Sequence, residues 1–454
     1  SIRLYTSYQD LEIVLAAESE ILDLIEKFYG NQASSLGRIV EGIEEEGGDS
    51  FAEDEDVEHL KDLASEAPVI RLVNLVISRA LESRASDIHI EPFERDLKVR
   101  YRIDGILHDV ESPPKKLKAA IISRIKIMSK LNIAERRIPQ DGRIKMRVLG
   151  KDVDLRVSTL PTMYGESVVM RLLDAGSVLL DLDTLGFSGH NLETFKKILN
   201  FKNGIILVTG PTGSGKTTTL YAALSRLNTN DVKILTVDDP VEYQLKGANQ
   251  MQVNPKINLT FASGLRAFLR QDPDIIMVGE VRDRETAEIA IQASLTGHLV
   301  LSTLHTNDAS SSITRLVDMG VEPFLVASAV IGIVAQRLVR TVCRDCGRQY
   351  TPEAEEILKI GLTPEDLKGK QLFRPIGCPN CMETGYAGRA GIHEVLTVTD
   401  AIRAELMKGS DATAIKKVAM SQGMRSLRDD AGAKVIQGLT TVAEVLRVTQ
   451  EESG

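Results

Sequence analysis

Ile205-Ile206-Leu207-Val208-Thr209-Gly210-Pro211-Thr212-Gly213-Ser214-Gly215-Lys216-Thr217 is the stretch that decides the fold. Residues 210–217 satisfy G-x-x-x-x-G-K-[ST] at every fixed position. The apolar run 205–208 predicts a strand leading in, and a helix is expected to start at Lys216. The glycines would let backbone N–H groups approach phosphates and align with the positive end of that helix. Gly210, Pro211, Thr212, Gly213, Ser214, Gly215, Lys216, Thr217 and Thr218 are therefore the expected nucleotide-binding residues. Lys216 would neutralise the β- and γ-phosphates of ATP, and the Thr217 hydroxyl would bind Mg²⁺. A ligand-free glycine turn is the bland alternative, and it does not explain why strand, loop and helix agree.

Outward from the loop, short β-rich runs at 234–237, 275–278 and 299–303 alternate with helical stretches. That alternation predicts an α/β fold with a mainly parallel sheet covered by helices. In such a sheet, residues just past the carboxyl ends of strands face the ligand crevice. Glu280 ends the run Ile275-Ile276-Met277-Val278-Gly279 and is the expected carboxylate for Mg²⁺ or water. Asp238-Asp239-Pro240 follows the 234–237 run and makes Asp238 a second catalytic candidate, against a simple turn. His298 and His305 bracket the 299–303 run. His305 lies just beyond the strand end, where it could sense the γ-phosphate.

Further out the chain changes character. Residues 41–58 are dominated by Glu, Asp and Gly and read as a self-repelling linker. Residues 68–84 carry apolar positions at a 3.6-residue period, followed by strand patterns at 87–91, 97–103, 143–148, 152–157 and 167–172 with a helix near 117–131. This is a mixed α+β domain. The expected organisation is a short remnant of a larger N-terminal domain (1–30), an acidic linker (31–66), the α+β domain (67–173) and a second linker (174–200). The ATPase core (201–340), a cysteine module (341–390) and a helical C-terminal region (391–454) complete it.

The 454 residues are 43% apolar and 26% charged, with a net charge of −9, no Trp and 4% aromatics. That balance argues against a dedicated nucleic-acid binder or a base-stacking platform. The most apolar stretch, 323–335, is too short to span a membrane and reads as a buried helix. Cys343-x-x-Cys346 and Cys378-x-x-Cys381 offer four thiolates, a tetrahedral set that suits structural Zn²⁺ in a reducing compartment. Lys115, Lys116, Lys118, Arg124, Lys126, Lys130, Arg136 and Arg137 stand against a single acid, Glu135. This reads as a solvated or subunit-facing helix; the sharper reading is contact with anionic lipid headgroups.

These motifs together resemble the type II secretion and type IV pilus assembly ATPases. The likeness rests on Ala85-Ser86-Asp87-Ile88-His89-Ile90-Glu91-Pro92, Arg100-Tyr101-Arg102-Ile103-Asp104-Gly105 and Ile138-Pro139-Gln140-Asp141-Gly142-Arg143. It rests equally on the phosphate loop, Leu269-Arg270-Gln271-Asp272-Pro273-Asp274, Gly279-Glu280-Val281-Arg282-Asp283, the paired histidines and the four cysteines. Asp318-Met319-Gly320-Val321-Glu322-Pro323-Phe324-Leu325 is more similar to the secretion branch than to the pilus-extension branch. The resemblance implies a RecA-like motor domain behind a PAS-like domain and a homohexamer. It implies a cytoplasmic motor, peripheral on the inner membrane, docked to a platform protein and powering pseudopilus assembly and protein export. It also implies that Arg156 and Arg171 reach the phosphates. Rival readings are a pilus-extension motor and, more distantly, a DNA-translocating ATPase. Asp238 stands where the family usually has Glu, so slower turnover is expected, and a faster Asp238→Glu variant would show it.

Overall fold

A computed structural model describes residues 57–110, 112–173 and 181–449. The expected N-terminal remnant and most of the acidic linker lie outside the described residues. The chain divides into two compact units between residues 176 and 177.

Among the described residues, the first unit is a six-stranded antiparallel sheet backed by three helices. Its elements are α1 (Val57–Ser65), α2 (Ala67–Glu82), β1 (Asp87–Pro92), β2 (Leu97–Ile103), β3 (Ile106–Asp109), α3 (Lys118–Met128), β4 (Gln140–Val148), β5 (Lys151–Thr162) and β6 (Gly165–Leu173). The strand order is β3-β2-β1-β6-β5-β4. Period-2 alternation builds the core: Ile88, Ile90, Val99, Tyr101, Leu155, Val157, Val168 and Met170 meet Leu72, Val73 and Ile77 of α2. Helix α2 begins with a proline in its first turn, where a missing N–H costs nothing.

Two expectations are corrected here. Residues 57–65, assigned by composition to the acidic linker, form α1, because Leu60, Leu63 and Ala64 bury one face beneath the surrounding charges. The basic stretch 115–137 is not one solvated face, since Lys126 is 1% exposed and pairs with Glu166 at 2.5 Å.

The second unit begins with α4 (Gly189–Leu199), then β7 (Gly204–Thr209), α5 (Lys216–Leu227), β8 (Ile234–Asp238), β9 (Ala248–Gln252) and α6 (Phe261–Phe268). It continues with β10 (Ile275–Val278), α7 (Arg284–Leu295), β11 (Leu299–Leu304), α8 (Ala309–Asp318), α9 (Pro323–Ala329) and β12 (Val330–Val342). A small ribbon of β13 (Arg348–Tyr350) and β14 (Leu372–Arg374) precedes β15 (Tyr386–Thr397). Helices α10 (Asp400–Met407), α11 (Ala412–Ser421), α12 (Leu427–Ile436) and α13 (Val442–Thr449) close it.

The seven-stranded sheet runs β15-β12-β7-β11-β10-β8-β9, parallel from β12 to β9 with β15 antiparallel at the edge. Strands β7, β10 and β11 are buried along their whole length, which is why they read as continuous apolar runs.

Three boundaries differ from expectation. Residues 189–199 are a helix of this unit rather than linker, with Phe195, Ile198 and Leu199 in its core. The apolar stretch 323–335 is not one helix: α9 stops at Ala329, and β-branched Val330, Ile331, Ile333 and Val334 start β12. Strand β12 crosses the expected 340/341 boundary and pairs with β15, so cysteine module and tail grow from the seven-stranded sheet itself. Ile402, Ile415, Leu427, Val435 and Val445 of the C-terminal helices belong to the same hydrophobic core as β10 and β12. No helix among the described residues is long and apolar enough to cross a membrane.

Candidate nucleotide site and cysteine cluster

Strand β7 delivers the chain to Gly210, and α5 leaves from Lys216. Gly210 (φ +148°) and Gly215 (φ +85°) hold backbone shapes that disfavour side chains. A Cβ on Gly210 would collide with the Gln336 carbonyl oxygen. Lys216 is buried, and its Nζ donates to the carbonyls of Gly210 at 2.9 Å and Pro211 at 3.1 Å. Burial holds the Lys216 pKa below its usual value, with Glu280 pulling the other way. Thr217 is half-buried in the first helical turn. Thr218 points elsewhere, with its Oγ1 3.5 Å from the Tyr243 hydroxyl.

Glu280 follows β10 and is mostly buried. One carboxylate oxygen pairs with Arg282, and the other lies 3.5 Å from His305 Nε2. Lys216, Glu280 and His305 thus converge at the carboxyl edge of the parallel strands. His298 sits at the other end of β11, where its Nδ1 contacts the Ala293 carbonyl at 2.8 Å. The two histidines therefore do not share a site.

Asp238 ends β8 but turns inward. It is 2% exposed, and its Oδ2 accepts from Tyr221 Oη and Thr236 Oγ1, both at 3.0 Å. Burial pushes its pKa up to about 6, against those two hydrogen bonds.

Arg156 and Arg171 belong to the first unit, where they are cross-strand neighbours on β5 and β6. Asp87 stands opposite Arg171, and Arg143 stands opposite Arg156. Arg171 Nε donates to Asp87 Oδ1 at 2.8 Å. The arginines thus form part of a charged cross-strand row on the sheet face away from the core.

Sequence reading missed the residues that hold the site from below. The Thr306 N–H donates to Thr209 Oγ1 at 2.8 Å, joining the His305 loop to the base of the phosphate loop. Glu394 of β15, fully buried, accepts from the Ala309 N–H at 2.9 Å at the start of α8. Lys416 of α11 lies 3.6 Å from Asp308 and 3.7 Å from Glu394. Gln336 of β12 bonds to the phosphate loop directly. The signal was present: a single Gln or Glu inside a long apolar strand must find a buried partner.

The cysteine cluster lies just past β12, with Cys343 directly after Val342. All four sulfurs lie within 4.8 Å of one another. Adjacent pairs are 3.9 Å (Cys343–Cys378), 3.7 Å (Cys346–Cys381) and 3.6 Å (Cys378–Cys381) apart. Tetrahedral zinc at the usual Zn–S distance requires sulfurs roughly 3.8 Å apart. Backbone N–H groups of Cys378 and Gly385 both point at the Cys381 sulfur at 3.2 Å, which suits a thiolate. The donor set fits a closed, structural metal site.

The chain matches the profile of the family described as "Type II/IV secretion system protein" over residues 62–447. It is 57% identical over 442 residues to the Type II secretion system protein E of Xanthomonas campestris pv. campestris, covering 97% of this chain and 77% of that one. It is 47% identical over 447 residues to the Type IV pilus assembly ATPase PilB of Myxococcus xanthus, covering 98% and 79%. Among solved structures, the ATPase DotB of Legionella pneumophila has a similar fold, with a TM-score of 0.61 over 83% of this chain and 94% of that one at 22% identity. A phosphate loop on a parallel sheet, a four-cysteine cluster grown from that sheet, and identities of this size along almost the whole length lead to one assignment: the chain belongs to the Type II/IV secretion system protein family.

Proposed function

We propose that this chain is the ATP-hydrolysing motor of a type II secretion system. The observation that carries the reading is the convergence of Lys216, Glu280 and His305 at the loop end of the sheet. Loop amides and Lys216 bind the β- and γ-phosphates, so the transferred phosphoryl group is held in a fixed field. Glu280 orients water and accepts its proton, and the products are ADP and phosphate. His305, beside Glu280, registers whether the γ-phosphate is present. Mg²⁺, when bound, neutralises phosphate charge, and Thr217 is the residue that would hold it. Arg156 and Arg171 supply a cationic clamp on the transferred group. Cys343, Cys346, Cys378 and Cys381 hold structural zinc.

The chain works as a homohexamer on the cytoplasmic face of the inner membrane, docked to a platform protein. Loss of the γ-phosphate lets the two units rotate, and the motion drives assembly of a pilus-like rod and protein export. The secretion reading is preferred to pilus extension because relatives described as type II secretion proteins are 48–57% identical, against 47% for the pilus relative.

The test is steady-state hydrolysis with oligomer size measured in parallel. Lys216→Ala is expected to lose nucleotide binding and activity together. Glu280→Gln is expected to keep binding while hydrolysis falls on the order of a hundredfold. Full activity in either variant removes that residue from the mechanism.

A further inference from the structure

The buried amide of Gln336 touches both the phosphate loop and the helix that follows it. It is 2% exposed on β12, beside β7, with Ala335 in register with Thr209. Its Nε2 donates to the Ser214 carbonyl at 2.8 Å, and its Oε1 accepts from Thr219 Oγ1 at 2.6 Å. The assignment of the two amide atoms is forced: a carbonyl can only accept, so nitrogen must face Ser214, leaving oxygen for the hydroxyl. Ser214 and Thr219 bracket Gly215, Lys216, Thr217 and Thr218. One side chain therefore pins both ends of the segment that carries Lys216 and Thr217, the residue that would hold Mg²⁺. The same residue's backbone oxygen is what Gly210 packs against, and its Nε2 would lie 2.8 Å from a Cβ on Gly215.

We propose that Gln336 is a positioning residue for nucleotide binding, holding the phosphate loop with its amides aimed at the site before ATP arrives. The proposal deepens the ATPase reading and rests on it. A loop fixed in advance loses less freedom on binding, so the benefit falls on affinity. Once nucleotide is seated, its own phosphate contacts hold the loop. The chemical step, which depends on Glu280, is then little changed.

The experiment uses the full chain and a fluorescent ADP analogue. Gln336→Met keeps the shape and removes both hydrogen bonds; its affinity is expected to fall about tenfold, with kcat at saturating ATP within about twofold of wild type. Gln336→Glu supplies the discriminating readout. Its carboxylate repels the Ser214 carbonyl, whereas its protonated form donates to that carbonyl and still accepts from Thr219. Affinity relative to wild type at the same pH should therefore recover as pH falls from 8 to 6. The idea is overturned by wild-type affinity in Gln336→Met. It is equally overturned if both variants are weakened alike at every pH, which marks Gln336 as core filling. Lys216→Ala serves as the control: wild-type affinity there overturns the phosphate-loop reading itself, whereas a dead Lys216→Ala beside an unaffected Gln336→Met removes only this proposal.

Discussion

Asp238 shows how a residue can end a strand at the crevice and yet turn its carboxylate inward. Its carboxylate is spent on Tyr221 and Thr236, and burial raises its pKa to about 6 from the ordinary 3.8. The folded state therefore favours the protonated form. Stability from this site is complete below about pH 4 and is lost as pH rises through 6, a change of roughly 3 kcal/mol for a carboxyl raised this far. Asp238→Asn stays neutral throughout. The melting temperature of Asp238→Asn relative to wild type should accordingly climb by a few degrees between pH 5 and pH 8. A pH-independent difference would mean that Asp238 is ionised at no cost, its partners notwithstanding. None of this was legible in sequence. Position after a strand nominates a residue for the crevice, but the side chain's direction depends on Tyr221, which lies on a different element. Lys216, Glu280 and His305 were legible because the backbone alone delivers them to one edge.

At the scale of elements, strands were easier to read than boundaries. Runs buried on both faces, such as β7 and β10, announce themselves by continuous apolar sequence. The α9–β12 junction does not, because an apolar run looks alike in helix and strand until β-branched residues decide it. Helix α1 was hidden because acidic composition drowned a three-residue apolar face. Least legible was the coupling of distant elements: Glu394 of β15 caps the start of α8, and Lys416 of α11 joins that carboxylate to Asp308. The C-terminal helices thereby grip the loop that carries His305. A buried carboxylate left without its cation is worse than neither charge, so the two substitutions should not add. Glu394→Leu and Lys416→Met are each expected to destabilise the unit, and the double variant by about 0.5–3 kcal/mol less than their sum. Chemical denaturation of the four proteins measures this. Strict additivity would show that Lys416 and Glu394 are neighbours without being partners.

At the scale of the whole molecule, two units of different construction make separate thermal demands. Among the described residues, the first has an antiparallel sheet packed against helices around a core of its own. The second carries its long C-terminal part on β12 and β15, and the cysteine cluster sits where those two strands meet. Cys343 follows β12, and its N–H donates to the Gly385 carbonyl at 2.9 Å, one residue before β15 begins. Metal there would tie the outgoing strand to the returning one and close residues 347–377 into a loop. Binding energy at such a site is folding energy, because the unfolded chain has no preformed S₄ cage. Chelation should therefore lower the calorimetric transition of the second unit and leave that of the first in place, with about one zinc released per chain. Cys381→Ser should reproduce the shift without chelator, since Cys381 is the sulfur on which two backbone N–H groups converge. Two unmoved transitions and no released metal would reduce the cluster to four packed thiols. A shift in both transitions would mean that the units do not fold independently.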